Sequence, residues 1–599
     1  MNHTALRRIA AGAALSALAL AGATGVAQAK PGADSPPGGH PAGGPIDVQL
    51  LALNDFHGNL EAPSGSSGRV QVGVNADGTA QNVNAGGAEY LATQLQQLAS
   101  AQAADNTITV AAGDLIGASP LLSAAFHDEP TIEALGLAGL DYASVGNHEF
   151  DEGPAELLRI QNGGCHPVEG CADGTPFAGA DFQYLSANAF VTETGQPLLA
   201  PYAIHEVEGE KIGFIGMTLE GTPNIVSAQG TAGLGFADEI QTANRYAAEL
   251  QAKGVEAIVV LLHEGGNQTG ENAWDVNGCN GLTGPIVDIA TGMSDAIDVV
   301  VSGHTHQAYN CEIDKKLVTS ASSFGRLVTD IDLRINQATG DVIQAKANNV
   351  IVNRDVAKDP AQTELISRYR TALGPIATKV VGSTTAPLTR DRERLFQSGT
   401  ATNGAPIYAL GESPLGNVIA DAQLAATQGE NAVAALMNPG GVRADLNAAV
   451  PFDGAVTYEE AFTVQPFANN LVTLDLTGAQ LQCLLEQQFQ GINSPLYPSS
   501  TLTYDVDRKG TSAAAGTGPC TGTRVPDSSV EIGGTPVVPT STYRITVNNF
   551  LAGGGDGFTV LKSGTNAVTG AIDLDAFIAY LGAESPLSAP TDDRITAIN

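Results

Sequence analysis

Apolar runs of strand length alternate with helical segments through most of the chain. Leu91, Leu95 and Leu98 recur at helical spacing within residues 89–104, and residues 238–253 carry a similar apolar stripe. Because one apolar face implies one buried side, both segments are expected to be helices that pack against a sheet. Strands that alternate with helices are typical of a layered α/β fold. The pattern therefore predicts an α/β protein.

A charged segment over residues 359–373 predicts a single helix between two domains. Asp359 is expected to be its N-cap, with Pro360 in the first turn. The predicted organisation is a signal peptide over 1–29, a Pro/Gly-rich leader over 30–45, a first domain over 46–356, a linker helix over 357–379 and a second domain over 380–585. We expect the second domain to turn about the linker helix.

The N-terminus has the pattern of an export signal. Arg7 and Arg8 precede an apolar run over residues 9–26, and Ala27 and Ala29 fit the small-x-small rule of a cleavage site. A membrane anchor is the alternative, but the run is short and rich in small residues. We therefore expect cleavage after Ala29 and a secreted or periplasmic chain without a membrane anchor.

Charge and cysteine content narrow the function classes. The 63 acidic and 28 basic residues give a formal net charge of −35. A non-specific binder of nucleic acid or of an anionic membrane should be basic, so both roles are disfavoured. Six cysteines in an exported chain suggest disulfides. Sequence proximity favours the pairs Cys165–Cys171, Cys279–Cys311 and Cys483–Cys520.

Five apolar runs end in polar residues of one chemical kind. These ends carry five of the ten histidines, together with carboxylates and one asparagine. In chain order they contain Asp55 and His57; Asp114; Asn147, His148 and Asp151; His263; and His304 and His306. Open α/β sheets build their sites beyond the carboxyl ends of the strands, so these side chains are expected to meet.

The residue types favour a site for two metal ions. Carboxylate, imidazole and amide oxygen suit borderline divalent ions such as Zn²⁺, Mn²⁺ or Co²⁺. Two ions about 3.5–4 Å apart need a bridging carboxylate. Asp114 is the isolated acid among the five segments, which makes it the expected bridge. No cysteine lies in these segments, which argues against a structural zinc site.

The five segments in this order resemble the signature of calcineurin-like metallophosphoesterases: D-x-H, GD, GNHE, a lone H and GHxH. The GNHEFD motif is similar to the corresponding motif of the 5′-nucleotidase family. The resemblance implies an N-terminal sandwich of two sheets flanked by helices, followed by an α/β 5′-nucleotidase substrate-binding domain. It also implies two divalent ions from among Zn, Mn, Co, Mg and Ca. Asp55, His57, Asp114 and His306 would hold the first ion, and Asp114, Asn147, His263 and His304 the second.

The resemblance implies that His148 and Asp151 act beside the metals without binding them. In the family the equivalent histidine meets the phosphoryl group and the equivalent aspartate orients it. A carboxylate partner fixes the imidazole tautomer and favours the imidazolium. That cation suits a place where charge builds on phosphoryl oxygens. The isolated His127, His166 and His205 are expected to be ordinary surface or core histidines.

Three segments of the second domain resemble the nucleotide-binding loops of the same family. The N-x-G-G-[IV]-R pattern contains Asn438 and Arg443, and a QPF segment ends at Phe467. The NNFLAGGGDGF segment contains Phe550 and Asp556. By resemblance the two phenylalanines sandwich the base, and Asp556 takes the ribose hydroxyls. Asn438 would reach the base and Arg443 the phosphates, which its planar guanidinium suits.

The resemblance implies a secreted, metal-dependent phosphoric monoester hydrolase that releases phosphate from nucleoside 5′-monophosphates. Nucleoside di- and triphosphates and UDP-sugars are further candidate substrates. One alternative is a 2′,3′-cyclic nucleotide phosphodiesterase/3′-nucleotidase. Another is a catalytically silent nucleotide-binding surface protein. In each case the expected partner is a small nucleotide, with no nucleic acid bound.

Overall fold

The computed structural model describes residues 44–599 apart from 64, 76–78, 103–105, 172, 227–228, 271, 401–405, 448–451, 468, 491–494, 513–520 and 592. These residues belong to one compact unit that begins at Gly44. The predicted signal peptide and the predicted leader up to residue 43 lie outside the described residues. Within the described ranges, no helix is both long and apolar enough to cross a bilayer.

Two six-stranded sheets form the first half of this unit. In spatial order, the first sheet contains Val342–Ile351, Leu327–Ile335, Ile46–Leu53, Thr107–Ala112, Tyr142–Ser144 and Gln183–Leu185. The second sheet contains Ala308–Ile313, Lys316–Ala321, Val299–Ser302, Ala257–His263, Glu210–Thr218 and Tyr202–Val207. The last four strands of the first sheet run parallel to one another. The four central strands of the second sheet do the same.

Consecutive apolar positions let the central strands bury both of their faces. Leu50 and Ala52 pack between the two sheets, whereas Leu51 and Leu53 face the helices on the other side. A strand that is covered on both sides needs apolar residues at successive positions, rather than at alternate ones. This explains why the run before Asp55 is almost unbroken in the sequence.

Helices cover the outer faces of both sheets. The first sheet packs against Ala88–Ala99, Leu121–Ala124, Glu129–Leu137 and Pro154–Asn162, and the second against Glu239–Ala252 and Pro285–Gly292. The predicted sandwich of two sheets flanked by helices is confirmed. Two small two-stranded sheets, Arg69–Val74 with Ala80–Asn84 and Ala189–Val191 with Leu234–Phe236, lie outside the two large sheets.

The helix predicted within residues 89–104 is shorter than its pattern indicated. It spans Ala88–Ala99 and is followed by Ser100 as the C-cap. The apolar spacing ends at Leu98, and the next position on that face is Gln102. Because no apolar side chain extends the buried face, nothing stabilises a further turn.

A long helix over Pro360–Ala377 joins the two halves of the unit. As predicted, Asp359 caps it, accepting a hydrogen bond from the Gln362 backbone N–H at 3.0 Å. The helix runs past residue 373 and takes Pro375 into its last turn. Its buried side chains belong to one apolar core that also contains residues of both halves.

Arg370 of this helix contacts both halves. Its guanidinium donates to Glu61, in the loop that follows the first strand. It also donates to Glu459 at 2.6 Å, in the helix Tyr458–Val464 of the second half. The neighbouring Arg368 pairs instead with Glu133 of the first half.

The second half contains two further sheets with helices around them. The larger sheet has the order Tyr497–Pro498, Ala434–Met437, Thr542–Asn548, Asn470–Thr477 and Thr565–Ile572, and the smaller one Thr535–Pro536, Glu531–Ile532, Leu502–Asp507 and Ile595–Ile598. Two two-stranded sheets pair Val380–Ser383 with Ala455–Thr457 and Arg394–Thr400 with Pro406–Leu410. The helices are Pro414–Thr427, Tyr458–Val464, Gly478–Gln487, Asn549–Ala552 and Asp573–Glu584.

Two of the three predicted disulfides are formed. Cys165 pairs with Cys171, and Cys279 pairs with Cys311. The third predicted pair includes Cys520, which lies outside the described residues. The folded second half extends past residue 585, the expected end of the second domain. Its last strand, Ile595–Ile598, pairs in parallel with Leu502–Asp507.

Candidate metal centre

The five polar segments lie together at one edge of the sandwich. Three of them follow parallel strands of the first sheet, and two end parallel strands of the second sheet. The carboxyl ends of parallel strands meet at the same edge. The two sheets face each other across an apolar core, so their polar ends also face each other.

One group of ligand atoms comes from Asp55, His57 and His306. The Nε2 atoms of His57 and His306 are 3.1 Å apart. The Nε2 of His306 lies 3.3 Å from Asp55 Oδ1, and the Nε2 of His57 lies 3.8 Å from the same oxygen. Both Asp55 and His57 are buried.

A second group comes from Asp114, His263 and His304, with Asn147 beside it. The Nε2 of His263 lies 3.0 Å from Asp114 Oδ2 and 3.2 Å from Asn147 Oδ1. The rings of His263 and His304 have centroids 5.2 Å apart. The backbone N–H of His304 donates to Asp55 at 3.0 Å, which ties the two groups together.

Asp114 lies between the two groups. Its Oδ2 is 3.0 Å from His263 Nε2 and 3.7 Å from His57 Nε2. Its Oδ1 accepts the backbone N–H of His148 at 2.9 Å, so the orientation of the carboxylate is fixed. One oxygen of a single buried carboxylate therefore faces histidines of both groups.

Backbone carbonyls fix two imidazoles with their lone pairs towards the centre. The Nδ1 of His57 is 2.8 Å from Gly117 O, and the Nδ1 of His263 is 2.8 Å from Ala112 O. A carbonyl accepts only, so both Nδ1 atoms carry a proton, and each Nε2 is an acceptor whenever its ring is neutral. In the neutral rings the Nε2 lone pairs of His57 and His263 therefore point at the same space as the carboxylate oxygens. This donor set fits divalent cations.

The electrostatics of the pocket agree with that fit. Burial lowers the pKa of His57 to about 3 and that of His304 to about 4, which keeps both imidazoles neutral as metal ligands require. For His263, burial acts against the charged form, but the carboxylate of Asp114 outweighs it and raises the pKa to about 10. The pocket therefore favours positive charge at its centre.

Five of the seven expected ligands have left-handed backbone conformations. The φ angles are 50° at Asp55, 47° at His57, 48° at Asp114, 71° at His304 and 55° at His306. Such angles are uncommon outside glycine and cost free energy that the surrounding fold must supply. The turns after the strands are thus held in a strained form that points the side chains inward.

The glycine before Asn147 is required by close approach. A Cβ at Gly146 would lie 2.2 Å from Asp114 Oδ1, which no side chain could avoid. Beside it, the buried carboxylate of Glu149 accepts the backbone N–H groups of Asp114, Leu115 and Gly146. Glu149 therefore connects the turn that carries Asp114 to the turn that carries Asn147, on the side away from the candidate ligands.

His148 and Asp151 form a pair at the rim of the centre. The Nδ1 of His148 is 2.7 Å from Asp151 Oδ2. Burial acts against the charged imidazole, but the carboxylates of Asp151 and Asp114 outweigh it and raise the pKa of His148 to about 9. These carboxylates favour the imidazolium form of the ring, which lies 5.2 Å from the ring of His57.

A cleft of about 470 Å³ adjoins the metal centre. It is lined on one side by Asn147, His148 and His304 of the first half. On the other side it is lined by Asn438, Phe467, Phe550 and Asp556 of the second half. The ring of Phe467 is nearly parallel to that of His148, with centroids 6.3 Å apart. Residues of both halves thus enclose one space.

Local contacts hold the expected nucleotide-binding side chains in this cleft. Asn438 donates to Asp556 Oδ2 at 2.9 Å and accepts from Asn548 at 2.9 Å. A Cβ at Gly555 would lie 2.6 Å from the Phe550 ring, so only glycine admits that ring. The guanidinium carbon of Arg443 is 5.5 Å from the centroid of the Phe467 ring. Arg443 also lines the smaller cavity that contains His57 and Asp114.

Some residues that support the centre were not indicated by any sequence pattern. The ring of Phe324 packs edge-on against His57 and His306, with centroids 5.9 and 5.3 Å away. Asn54 accepts the backbone N–H of Ala321 at 2.7 Å and so joins the two sheets behind Asp55. Phe324 follows none of the strand-end motifs. Asn54 directly precedes Asp55, and this position is the feature of the sequence that could have indicated its role.

Two family models match the chain. The calcineurin-like phosphoesterase model matches residues 48–308, and the 5′-nucleotidase C-terminal domain model matches residues 397–563. With the sandwich and its metal centre, these domains are those of a metal-dependent phosphoester hydrolase. The chain belongs to the 5′-nucleotidase family.

Relatives match nearly the whole chain. It is 32% identical to endonuclease YhcR of Bacillus subtilis over 92% of this chain and 41% of YhcR. It is 30% identical to the cell wall protein Lmo0130 of Listeria monocytogenes over 90% of this chain and 67% of that protein. The chain therefore spans less than half the length of YhcR. A 5′-nucleotidase precursor from Thermus thermophilus has a similar structure, with a TM-score of 0.64 and 27% identity over 92% of this chain and all of that one.

Proposed function

We propose that this chain is an exported enzyme that uses two divalent ions to release phosphate from nucleoside 5′-monophosphates. The observation that carries the proposal is the shared cleft. Its walls contain His148 beside the metal ligands and Phe467 and Phe550 opposite them. A nucleotide needs both an aromatic site for its base and a cationic site for its phosphate, within one molecule's length of each other.

Seven side chains are proposed to hold the ions. Asp55, His57, Asp114 and His306 would bind the first ion, and Asp114, Asn147, His263 and His304 the second. The chemistry expected of divalent ions here is polarisation of the phosphoryl group and activation of water at neutral pH. The convergence of lone pairs and the strained turns that carry them support this assignment.

His148 is proposed to donate a hydrogen bond to the phosphoryl group. Asp151 holds its Nδ1, so Nε2 is left to present the second N–H of the imidazolium. A fixed cation beside the phosphorus stabilises the negative charge that develops on the phosphoryl oxygens during attack by water. Asp151 acts through His148, by keeping the ring oriented and charged.

The second half is proposed to bind the nucleoside. Phe467 and Phe550 stack on the base, and Asp556 accepts hydrogen bonds from the ribose hydroxyls. Asn438 holds Asp556 and contacts the base. Arg443 lines the cavity of the metal centre and reaches the phosphate from there. This division gives the first half the chemistry, over 46–356, and the second half the recognition, over 380–585.

Export is part of the proposal. It rests on the basic and apolar pattern before Ala29 and on the two disulfides, which form in oxidising compartments. Lmo0130, a relative of this chain, is a cell wall protein. Cleavage after Ala29 is checked by N-terminal sequencing of the protein recovered from its native compartment.

A second candidate activity is phosphodiester cleavage of 2′,3′-cyclic nucleotides. It is favoured by the relation to YhcR, which is an endonuclease and therefore cleaves phosphodiesters. The same centre could serve it, because the attacked phosphorus again sits between cationic groups. The net charge of −35 disfavours a polynucleotide as the substrate.

The test is a turnover panel over AMP, ATP, UDP-glucose, NAD and 2′,3′-cAMP, run with several divalent ions and with EDTA, in which released phosphate and the nucleotide products are both measured, because opening a cyclic phosphodiester frees no phosphate. We expect the highest kcat/KM for AMP and no release once EDTA has removed the ions. A higher kcat/KM for 2′,3′-cAMP would favour the second candidate. Full activity in a metal-free sample, or no turnover of any substrate with any ion, would overturn the proposal.

A further inference from the structure

A second cluster of metal-binding side chain types lies outside the centre described above. His127 and His166 were expected to be isolated, but their rings stack with centroids 4.1 Å apart and an angle of 13° between them. Glu169 completes a group in which one ligand atom from each residue lies within 4.8 Å of the others. The Nε2 of His127 is 3.3 Å from Glu169 Oε2.

The orientation of His127 suits a metal ligand. Its Nδ1 is 3.0 Å from Glu152 Oε2, so that carboxylate accepts a hydrogen bond from the Nδ1–H. The hydrogen bond to Glu152, together with the charge of Glu169, raises the pKa of His127 to about 9, so a bound ion would replace the Nε2 proton that faces Glu169. A carboxylate behind a histidine is the usual arrangement at metal sites, since it orients the ring and raises its basicity.

His166 has an available lone pair as well. Its Nδ1 accepts the backbone N–H of Glu169 at 3.1 Å, which leaves the proton of the neutral ring on Nε2. An ion would take the Nδ1 lone pair in place of that single hydrogen bond. The three ligand atoms lie within 4.8 Å of one another, and the two rings would have to turn out of their parallel stack to point both lone pairs at one ion.

The backbone holds both histidines in place. His166 lies in the loop closed by the Cys165–Cys171 disulfide and forms a bridge with Gly170. His127 has a left-handed φ of 51° in a turn secured by the following residue. That residue, Asp128, accepts from Ser123 Oγ at 2.6 Å and from the Gly117 backbone N–H at 3.2 Å.

We propose that His127, His166 and Glu169 form a third divalent-cation site, with Glu152 as the carboxylate that orients His127. Imidazole and carboxylate ligands together select ions of the Zn²⁺ class over Mg²⁺ or Ca²⁺. The site braces the disulfide loop against the turn of the catalytic pair, because Glu152 directly follows Asp151 and lines the substrate cleft. On the other side, Gly117 connects it to His57.

The test counts bound ions. The full chain is freed of metal with a chelator, loaded with Zn²⁺ and dialysed, and zinc per chain is measured by mass spectrometry. We expect His166→Ala and Glu169→Gln each to bind one ion fewer than the wild type. His205→Ala is the matched control, since His205 contacts Tyr142 on a strand away from both clusters, and it should bind as many ions as the wild type.

A second background separates this site from the proposed dinuclear centre. Asp114→Asn removes the bridging carboxylate, so it should lose ions from that centre and keep the third. Adding His166→Ala to Asp114→Asn should remove one further ion, and with Co²⁺ the visible absorption of the remaining site should vanish. Equal ion counts with and without His166→Ala in both backgrounds, and an unchanged count in Glu169→Gln, would overturn the proposal. Glu169 is largely exposed, so its variant should fold even where a histidine variant does not.

Discussion

At the scale of single residues, the centre depends as much on groups behind the ligands as on the ligands themselves. The carbonyls of Gly117 and Ala112 decide which nitrogen of His57 and of His263 faces the other candidate ligands. Glu149 decides how two of the turns lie against each other. These supporting groups are not candidate ligands themselves, yet they set the geometry of the candidate centre.

His148→Ala is expected to lower kcat for AMP about 10²–10³-fold, because removal of one donor to the developing charge typically costs that much. Both metals should stay bound, since His148 is proposed to be no ligand. The measurement pairs steady-state kinetics with zinc content. If the metal content fell in step with the activity, His148 would be a ligand and its proposed role would be wrong.

Glu149→Gln is expected to weaken metal binding about 10–100-fold, the range found when a group that orients ligands is changed. The amide has one acceptor oxygen and turns an NH₂ group towards backbone N–H donors that the carboxylate accepted. The measurement is a zinc titration monitored by activity. Glu206→Gln is the control, because Glu206 is exposed on an outer strand and should titrate like the wild type. An unchanged titration in Glu149→Gln would contradict the expectation.

At the scale of elements, the helix Pro360–Ala377 sets the relation between the two halves. Its apolar face is part of a core shared by both, and Arg370 reaches a carboxylate on each side. Glu459 belongs to the helix that leads to Phe467, so this arginine acts on the position of an aromatic wall of the cleft.

Arg370→Ala is expected to raise KM for AMP about two- to fivefold. A change of this size corresponds to the free energy that one partly exposed ion pair contributes. The reason is that the helix carrying Glu459 loses its tie to the first half. Turnover of p-nitrophenyl phosphate should be unchanged, because a small aryl phosphate needs only the metal centre. Arg368→Ala removes a cation of the same helix that pairs within the first half, and it should leave both values near wild type. Equal KM values in the two variants would contradict this role for Arg370.

At the scale of the whole molecule, the proposed substrate site lies where the two halves meet. The first half supplies all the candidate metal ligands of the centre, and the second supplies Phe467, Phe550 and Asp556. In the proposed function, therefore, neither half alone could serve a nucleotide.

The double variant Phe467→Ala/Phe550→Ala is expected to raise KM for AMP about tenfold or more. Stacking contributes about 1–3 kcal/mol per base, and both faces would be lost. kcat/KM for p-nitrophenyl phosphate should hardly change in the same protein. Equal losses on the two substrates would mean that the phenylalanines are core residues, and no loss on either would mean that the base binds elsewhere.

Features that depend on neighbouring residues could be predicted from the sequence, whereas features that depend on distant parts of the chain could not. The run before Asp55 is apolar at successive positions because both faces are buried, and that pattern is readable without a structure. The end of the helix at Ala99 was harder, because helix termini depend on what the next turn can bury. The stacking of His127 on His166 could not be read at all, since it depends on how a disulfide loop folds over a distant turn.

The ligands of the metal centre come from opposite ends of a long stretch of chain. His57 and His306 are 249 residues apart in sequence, yet their nitrogens face each other. A centre of such high contact order forms only when both sheets are folded, because contacts between distant parts of the chain close late. Loss of either sheet would therefore separate the two imidazoles and dismantle the whole candidate centre.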